Sequence, residues 1–497
     1  MQPSPQAEPL ASDPRVLILG AGPAGLTAAY ELTRLGVRSR LLELEAQAGG
    51  LSRTLEHNGY LFDIGGHRFF TKVAMVERIW HEVLAGDLLE RPRLSRIFYN
   101  SRFFKYPLEA ADVVARLGVL EVLRCGLSYL HSRLRPVRPE VTFETWVSNR
   151  FGRRLFDIFF RTYTEKVWGM PCDKIAAEWA SQRIRGLSVW ALLKSALRPS
   201  SDGGARSLTR QFLYPRRGPG LMWNRMAELL QRRGCTLDLN TAVERIEWDA
   251  RGIRAVVANG RRHEADHFIS SLPIRELISK LDPAPPAWLA QAAGDFHYRD
   301  FITVAVVLRG RDLFPDNWIY IHDPRVAVGR IQNYGNWSPE MVPDPDTSCL
   351  GLEYFCFEGD GLWAAPDAQL IEQARRELSH LGLAPPSAFL DACVLRIRKA
   401  YPVYDESYRR GLDSIRRFLA LVPNLQLIGR NGMHRYNNQD HSMLTGILAA
   451  RNVLGARFDL WELHRNSEHL EEGDEISDEE IAALEQSQPL TPQGRPA

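Results

Sequence analysis

The run Arg15–Arg53, RVLILGAGPAGLTAAYELTRLGVRSRLLELEAQAGGLSR, constrains the chain more than any other stretch. Val16–Leu19 is a short apolar run suited to a buried parallel strand. Gly20, Gly22 and Gly25 follow as G-x-G-x-x-G, with Pro23 and Ala24 inside the motif, where strand should turn into helix. The first glycine permits the tight turn, the second lets a phosphate approach the backbone, and the third lets helix and strand pack closely. Leu26, Ala29, Tyr30, Thr33 and Leu35 recur at helical spacing, and Gly36 can end the helix. Arg40–Leu42 begins a second strand that delivers Glu43, 23 residues after Gly20. An acid that holds a ribose hydroxyl is expected roughly 20 residues after the motif. The order of strand, glycines, helix, strand and acid predicts a Rossmann-like unit for a dinucleotide with a free ribose, which leaves NAD or FAD.

The residues after Glu43 separate these two. A second glycine pair, Gly49–Gly50, is followed by Leu51 and Arg53. This run resembles the flavin-binding stretch of the superfamily that holds amine oxidases, protoporphyrinogen oxidases and UDP-galactopyranose mutases. A long cofactor needs a second close backbone approach, and only glycine leaves the room. The resemblance implies FAD.

Bulk properties exclude more than they assign. The 497 residues are 45% apolar and 25% charged, with a net charge of +2. This is ordinary globular material, large enough for two or three lobes, with no overall charge to draw nucleic acid or an anionic membrane, so any electrostatic case rests on local clusters. Cys125, Cys172, Cys235, Cys349, Cys356 and Cys393 form no C-x-x-C pair, so free, mostly buried thiols are expected. Residues 1–13 are polar and Pro-rich, with no basic head or apolar signal core, and no apolar run reaches membrane-spanning length. These features point to a cytoplasmic protein.

Along the chain, Tyr60–Lys72 (YLFDIGGHRFFTK) runs from a strand into Gly65-Gly66-His67 and resembles the GPHxFHT segment of the mutases. His67 matches the histidine beside the flavin, while Phe70 replaces the second histidine. Ile97–Leu108 resembles the strand pair that follows in the same enzymes. Glu109–Leu134 turns helical through Val113, Val114, Leu117, Leu120 and Leu123, and is read as a buried-face helix of a second lobe, with peripheral membrane contact as the alternative. Phe159–Gly186 resembles the mutase stretch with YT-x-K-x-WG, matched by Tyr163, Lys166, Trp168 and Gly169. Arg183 and Arg185 fall where that family has mobile-loop arginines. The resemblance implies stacking of a base on Tyr163 or Trp168 and a guanidinium clamp on a diphosphate.

Thr236–Leu239, Val243–Trp248, Ile253–Ala258 and Arg262–Ser270 read as a small antiparallel meander. Resemblance to two-dinucleotide-fold flavoproteins implies that the backbone of Val243 lies beside the adenine and that Ala265–Pro273 returns the chain to the FAD lobe. His263 and His267 lie four apart but on a strand-like run, and such pairs chelate from a helix, so no metal site is assigned. Arg299 and Arg330 match the arginines of the mutase substrate strands, and Tyr401 or Tyr404 matches a tyrosine near the sugar. In Asn424–Ala450, Gly429, Arg430, Gly432, Tyr436 and Asp440 match the mutase ending, whereas His434 and Asn438 depart from it. Ser442 and Met443 follow in the helix whose start suits a flavin phosphate. From Asn466 the chain is acidic and reads as a solvated tail.

The expected architecture is an α/β fold: a Rossmann-like FAD domain from 14–96, 213–273 and 416–456, a mixed antiparallel-sheet substrate domain from 97–212 and 274–415 with a helical lobe, and tails at 1–13 and 457–497. The resemblance implies that reduced flavin attacks the anomeric carbon of a sugar nucleotide through N5, so that the ring reopens and recloses smaller. Aromatics and arginines recur with no nucleophile–base constellation, which suits such cofactor-borne chemistry. Ser270–Leu281 looks more like the protoporphyrinogen oxidases and desaturases. Three readings follow: a mutase-like enzyme on a nucleotide- or lipid-linked sugar, an oxidase or desaturase, or a flavin-bound interaction protein without turnover.

Overall fold

The apolar run Val16–Leu19 is the centre of a five-stranded parallel sheet in a computed structural model that describes residues 15–106, 108–177, 211–461 and 463. The strand order is Leu425–Leu427, His267–Ser270, Val16–Leu19, Ser39–Leu42 and Thr236–Asp238. Three segments far along the chain therefore meet beside the opening motif. Arg183, Arg185 and the loop at 198–208 lie outside the described residues, as do residues 1–13 and nearly all of the acidic tail.

The single meander expected over 236–270 is corrected. Val243–Asp249, Gly252–Ala258 and Arg261–Glu264 do pair antiparallel. Thr236–Asp238 and His267–Ser270 instead extend the parallel sheet on opposite sides of its centre. His267–Ser270 is buried along nearly its whole length between two neighbours, a position suited to a parallel strand covered on both faces.

A seven-stranded sheet forms the second body, in the order Phe389–Pro402, Tyr298–Arg309, Thr347–Cys356, Arg330–Asn333, Trp318–Ile321, Ser95–Tyr99 and Arg102–Lys105. Its strands are antiparallel except where Trp318–Ile321 runs parallel to Ser95–Tyr99. The long strands Tyr298–Arg309 and Thr347–Cys356 are buried almost throughout.

The buried-face expectation for Glu109–Leu134 does not hold. The segment forms two helices, Ala110–Leu117 and Val119–Leu134, parted by Gly118 at φ +86°. Leu120 is 71% and Leu123 60% exposed, whereas the second helix buries Cys125 and Ser132. Periodicity reveals an amphipathic helix but not which face the protein takes. All six cysteines are free thiols, five of them buried. Among the described residues no helix is long and apolar enough to cross a membrane.

The helix Pro23–Arg34 packs along the helix Gln439–Val453. A Cβ on Gly446 would lie 2.3 Å from the Ala24 carbonyl oxygen. Buried Glu31 binds Arg34 on its own helix and Arg451 on the other, at 2.8 and 3.0 Å. We expect Gly446→Ala to part the helices and cost about 1–3 kcal/mol of stability. A lowered urea midpoint at unchanged slope, with faster loss of bound flavin, is the measurement.

Candidate cofactor cleft and active site

Gly22 caps the helix Pro23–Arg34, and Pro23, whose missing N–H is no loss in the first turn, opens it. Gly20 takes φ +98°, and a Cβ on Gly25 would lie 2.0 Å from the Gly20 carbonyl oxygen, so the strand-to-helix turn closes only with glycine at these places. The second glycine pair comes to the same point. Gly49 N–H donates to the Ala21 carbonyl at 2.8 Å. A Cβ on Gly50 would lie 3.1 Å from the Gly22 Cα. The two backbones thus form one bare floor, open to a phosphate.

Glu43 stands at the end of its strand, where its carboxylate accepts the Ala21 and Glu45 N–H groups at 2.6 and 3.0 Å. Burial pushes its carboxyl above the usual range in spite of these bonds. Thr241 N–H donates to the Glu43 carbonyl at 2.7 Å, which brings the start of the Val243 strand alongside. Arg53 pairs with Glu45 at 3.1 Å on the rim of the turn.

From the far end of the chain, Gly429 N–H bonds to the Thr445 hydroxyl at 3.0 Å, and Gly429 sits over Ala24, where a Cβ would come within 2.9 Å of the alanine Cβ. Gln439 and Asp440 open the helix Gln439–Val453, where free N–H groups favour an anion. The buried Gln439 side chain accepts the Trp223 indole N–H at 3.1 Å, and its own amide nitrogen has no partner. An orphaned donor at a helix start beside a glycine floor fits a dinucleotide diphosphate. Ser442 is buried in the first turns of this helix. The Met443 side chain faces the core, where its sulfur accepts the Trp80 indole N–H at 3.1 Å.

Where the floor meets the second sheet, Leu51 lies close to Ile64, and Ile64, Gly65, Gly66 and His67 form the next wall. His67 Nε2–H donates to the Ile64 carbonyl at 2.6 Å. Burial, with Arg430 nearby, lowers its pKa to about 4, so the ring is neutral at pH 7. A Cβ on Gly66 would lie 1.9 Å from the nearest atom of the Trp318 ring, so backbone and indole pack directly together.

Arg330, in the buried strand Arg330–Asn333, binds Glu353 through Nε at 2.6 Å and the Tyr401 hydroxyl through Nη2 at 2.8 Å. Gln332 holds the other Glu353 oxygen at 2.5 Å. Burial alone would lower the arginine's pKa, but the paired carboxylate outweighs it and holds the guanidinium charged. Tyr401 stacks on Tyr436 at 5.4 Å, and Arg430 lies over Tyr436 at 4.7 Å. Arg68 and Arg330 both approach the Trp318 ring, at 5.1 and 5.3 Å. Tyr163 lies within the field of Arg330 and Glu353 and stacks on His322 at 5.0 Å. His67, Tyr163, Arg330, Tyr401, Arg430 and Tyr436 are therefore brought to one cleft.

Two candidates stand elsewhere. Trp168 is 4% exposed and packs among Phe143, Val147 and Cys172. Arg299 spends its guanidinium on the Val167, Lys166 and Phe355 carbonyls, at 2.9, 3.1 and 3.0 Å, stapling the helical lobe to the sheet. Arg68, Trp318, Glu353 and Gln439 are cleft residues that sequence reasoning missed. Only Glu353 carried a signal: a lone acid in the apolar run LGLEYFC.

The description of flavin containing amine oxidoreductases matches residues 23–454. The crystal structure of reduced UDP-galactopyranose mutase superposes with a TM-score of 0.79 at 24% identity, covering 90% of this chain and 97% of that one. Putrescine oxidase bound to putrescine superposes with a TM-score of 0.62 at 18% identity, covering 90% of this chain and all of that one. Among curated proteins, the mitochondrial protoporphyrinogen oxidase of Nicotiana tabacum is 37% identical over 67 residues, 14% of this chain and 13% of that protein. The curated relatives are matched over less than two-fifths of their own lengths.

Asp63, just before Gly65, is wholly buried, and burial lifts its pKa from 3.8 to about 7 against hydrogen bonds from Tyr214 and Thr54. The folded state thus binds this proton more tightly than the unfolded chain does. The stabilisation is complete below pH 3.8 and is lost as pH rises through about 7. Urea titrations between about pH 4 and 8 should show this slope in the native protein and a flatter one in Asp63→Asn.

Proposed function

The chain belongs to the family of flavin-containing amine oxidoreductases, with FAD as cofactor, and we propose that it rearranges a nucleotide-linked sugar without net redox change. The observation that carries this reading is the charge of the cleft. Arg68, Arg330 and Arg430 converge there; Arg430 gives Nε to the Asn437 carbonyl and Nη1 to the Ala400 carbonyl, at 3.0 and 2.9 Å, and Glu353 is the one carboxylate bonded to the three among the described residues. A diphosphate brings the negative charge this set lacks, and guanidinium forks suit it. The likeness in fold to UDP-galactopyranose mutase supports the same reading.

The chain's own residues bind and orient. Glu353 and Tyr401 fix two donors of Arg330, whose Nη1 makes no hydrogen bond among the described residues and is available to substrate. Tyr163 and Tyr436, both half-buried, offer flat walls for a base and a sugar. Gly65 and Gly66 would border the flavin ring, with Trp318 packed against the second, and neutral His67 holds the loop without adding charge. When bound, FAD supplies the reactive ring nitrogen.

A second reading, hydride removal from an apolar substrate, draws on the aromatic walls and the oxidase relatives. A cationic amine suits the cleft less well, because Glu353 is already neutralised by Arg330.

Dithionite-reduced protein, held without oxygen and given a panel of uridine diphosphate sugars, should yield an isomeric sugar nucleotide by chromatography. Oxygen consumption with an apolar substrate, and no isomerisation, would establish the second reading instead. Arg330→Met/Glu353→Gln, which removes the pair together so that neither charge is stranded, should weaken uridine diphosphate binding roughly 10- to 100-fold by calorimetry while keeping the flavin spectrum.

A further inference from the structure

The helix Val119–Leu134 is packed inside out. At 3.6 residues per turn, Val119, Leu120, Leu123, Leu127, Leu130 and Leu134 fall within an arc of about 100°. That arc faces outward, from 56% exposure at Leu130 to 82% at Leu134. Val137 and Val141, 55% and 60% exposed, carry the apolar strip past the helix end. The opposite face is small and polar. Cys125 and Ser132 are buried, the Ser128 hydroxyl accepts the Arg154 N–H at 3.0 Å, and Glu121 pairs with Arg124 and Arg154.

The charge around the strip is one-sided. Arg133, Arg135 and Arg138 cluster at its C-terminal end, and no carboxylate among the described residues reaches ion-pair distance of them. The nearby acids are committed: Asp112 to Arg116, Glu121 to Arg154, and Glu140 to Arg150. A second copy seated on this face would bring two arginine clusters into one interface, where the nearby acids among the described residues are already paired. A surface both apolar and anionic satisfies the strip and the cluster together. We propose that this face docks on an anionic phospholipid bilayer, with the leucines entering the acyl boundary and the arginines at the headgroups. The inference rests on the exposed strip and its arginines and is independent of the reaction in the cleft.

The test is co-sedimentation of the full-length holoprotein with phosphatidylcholine vesicles, with and without phosphatidylglycerol. Partition should be at least about tenfold stronger with phosphatidylglycerol and should fall with added salt. Leu123→Gln/Leu127→Gln/Leu130→Gln and Arg133→Gln/Arg135→Gln should each reduce it about tenfold or more and leave the flavin spectrum unchanged. Three results would overturn the proposal. One is equal partition of native protein and the leucine variant. Another is a vesicle-indifferent dimer, seen by sedimentation velocity, that the leucine variant dissolves. The last is a vesicle-indifferent monomer whose Val119–Leu134 amides exchange as slowly as the core, which would mean that the chain itself covers the helix.

Discussion

The contact between the helix Pro23–Arg34 and the helix Gln439–Val453 is the constraint on which the rest depends. The first presents the Ala24 carbonyl, the second a glycine with no side chain to hold it off, and the backbones touch. Because they touch, the glycine floor of Gly22 and Gly50 and the helix start at Gln439 share one cleft. Glu31 and Arg451 fix the same pair of helices farther along. An ion pair this buried is seldom a large net source of stability. Its arrangement, with one carboxylate bridging arginines of both helices, matters more for register.

The cleft's second half is organised by a pair of opposite kind. Arg330 and Glu353 stand on neighbouring antiparallel strands, opposite each other in register. Nearly complete burial makes either one costly alone, and together they tolerate it. The arginine is thereby held stiff between Trp318 and Phe355, at 5.3 and 4.9 Å, as a preorganised donor. His67 is kept neutral by the same burial and the same arginines. The field in the cleft is therefore set by guanidinium groups, whose charge is independent of pH across the physiological range.

What could be read in advance was local. Gly20, Gly22, Gly25 and Glu43 lie in one strand–helix–strand unit, where spacing alone determines geometry, and the structure places them together. Arg330 and Arg299 look alike on paper, each an arginine at the start of an apolar strand. One turns toward the cleft and the other toward three carbonyls, because the helical lobe passes close to Arg299. That difference depends on chain more than a hundred residues earlier, at Lys166 and Val167. Trp168 matched a motif but is claimed by the core of its own lobe. The parallel partner of Thr236–Asp238 was hidden for a similar reason: a short strand carries too few residues to declare which sheet it joins, whereas the resemblance of Ala265–Pro273 had already pointed to the FAD lobe. In the helix Val119–Leu134 the period was plain and the facing was not, since leucines that point outward have the same spacing as leucines that point inward.

The strand order of the parallel sheet also bears on how the protein is made. Val16–Leu19 leaves the ribosome well before its neighbour His267–Ser270, and before the helix that closes the floor, which ends at Val453. Until that late helix is synthesised, the cradle is an open groove in an unfinished sheet. Capture of the cofactor thus follows synthesis of that helix, and the earlier strands must wait, half-assembled, for the chain to return.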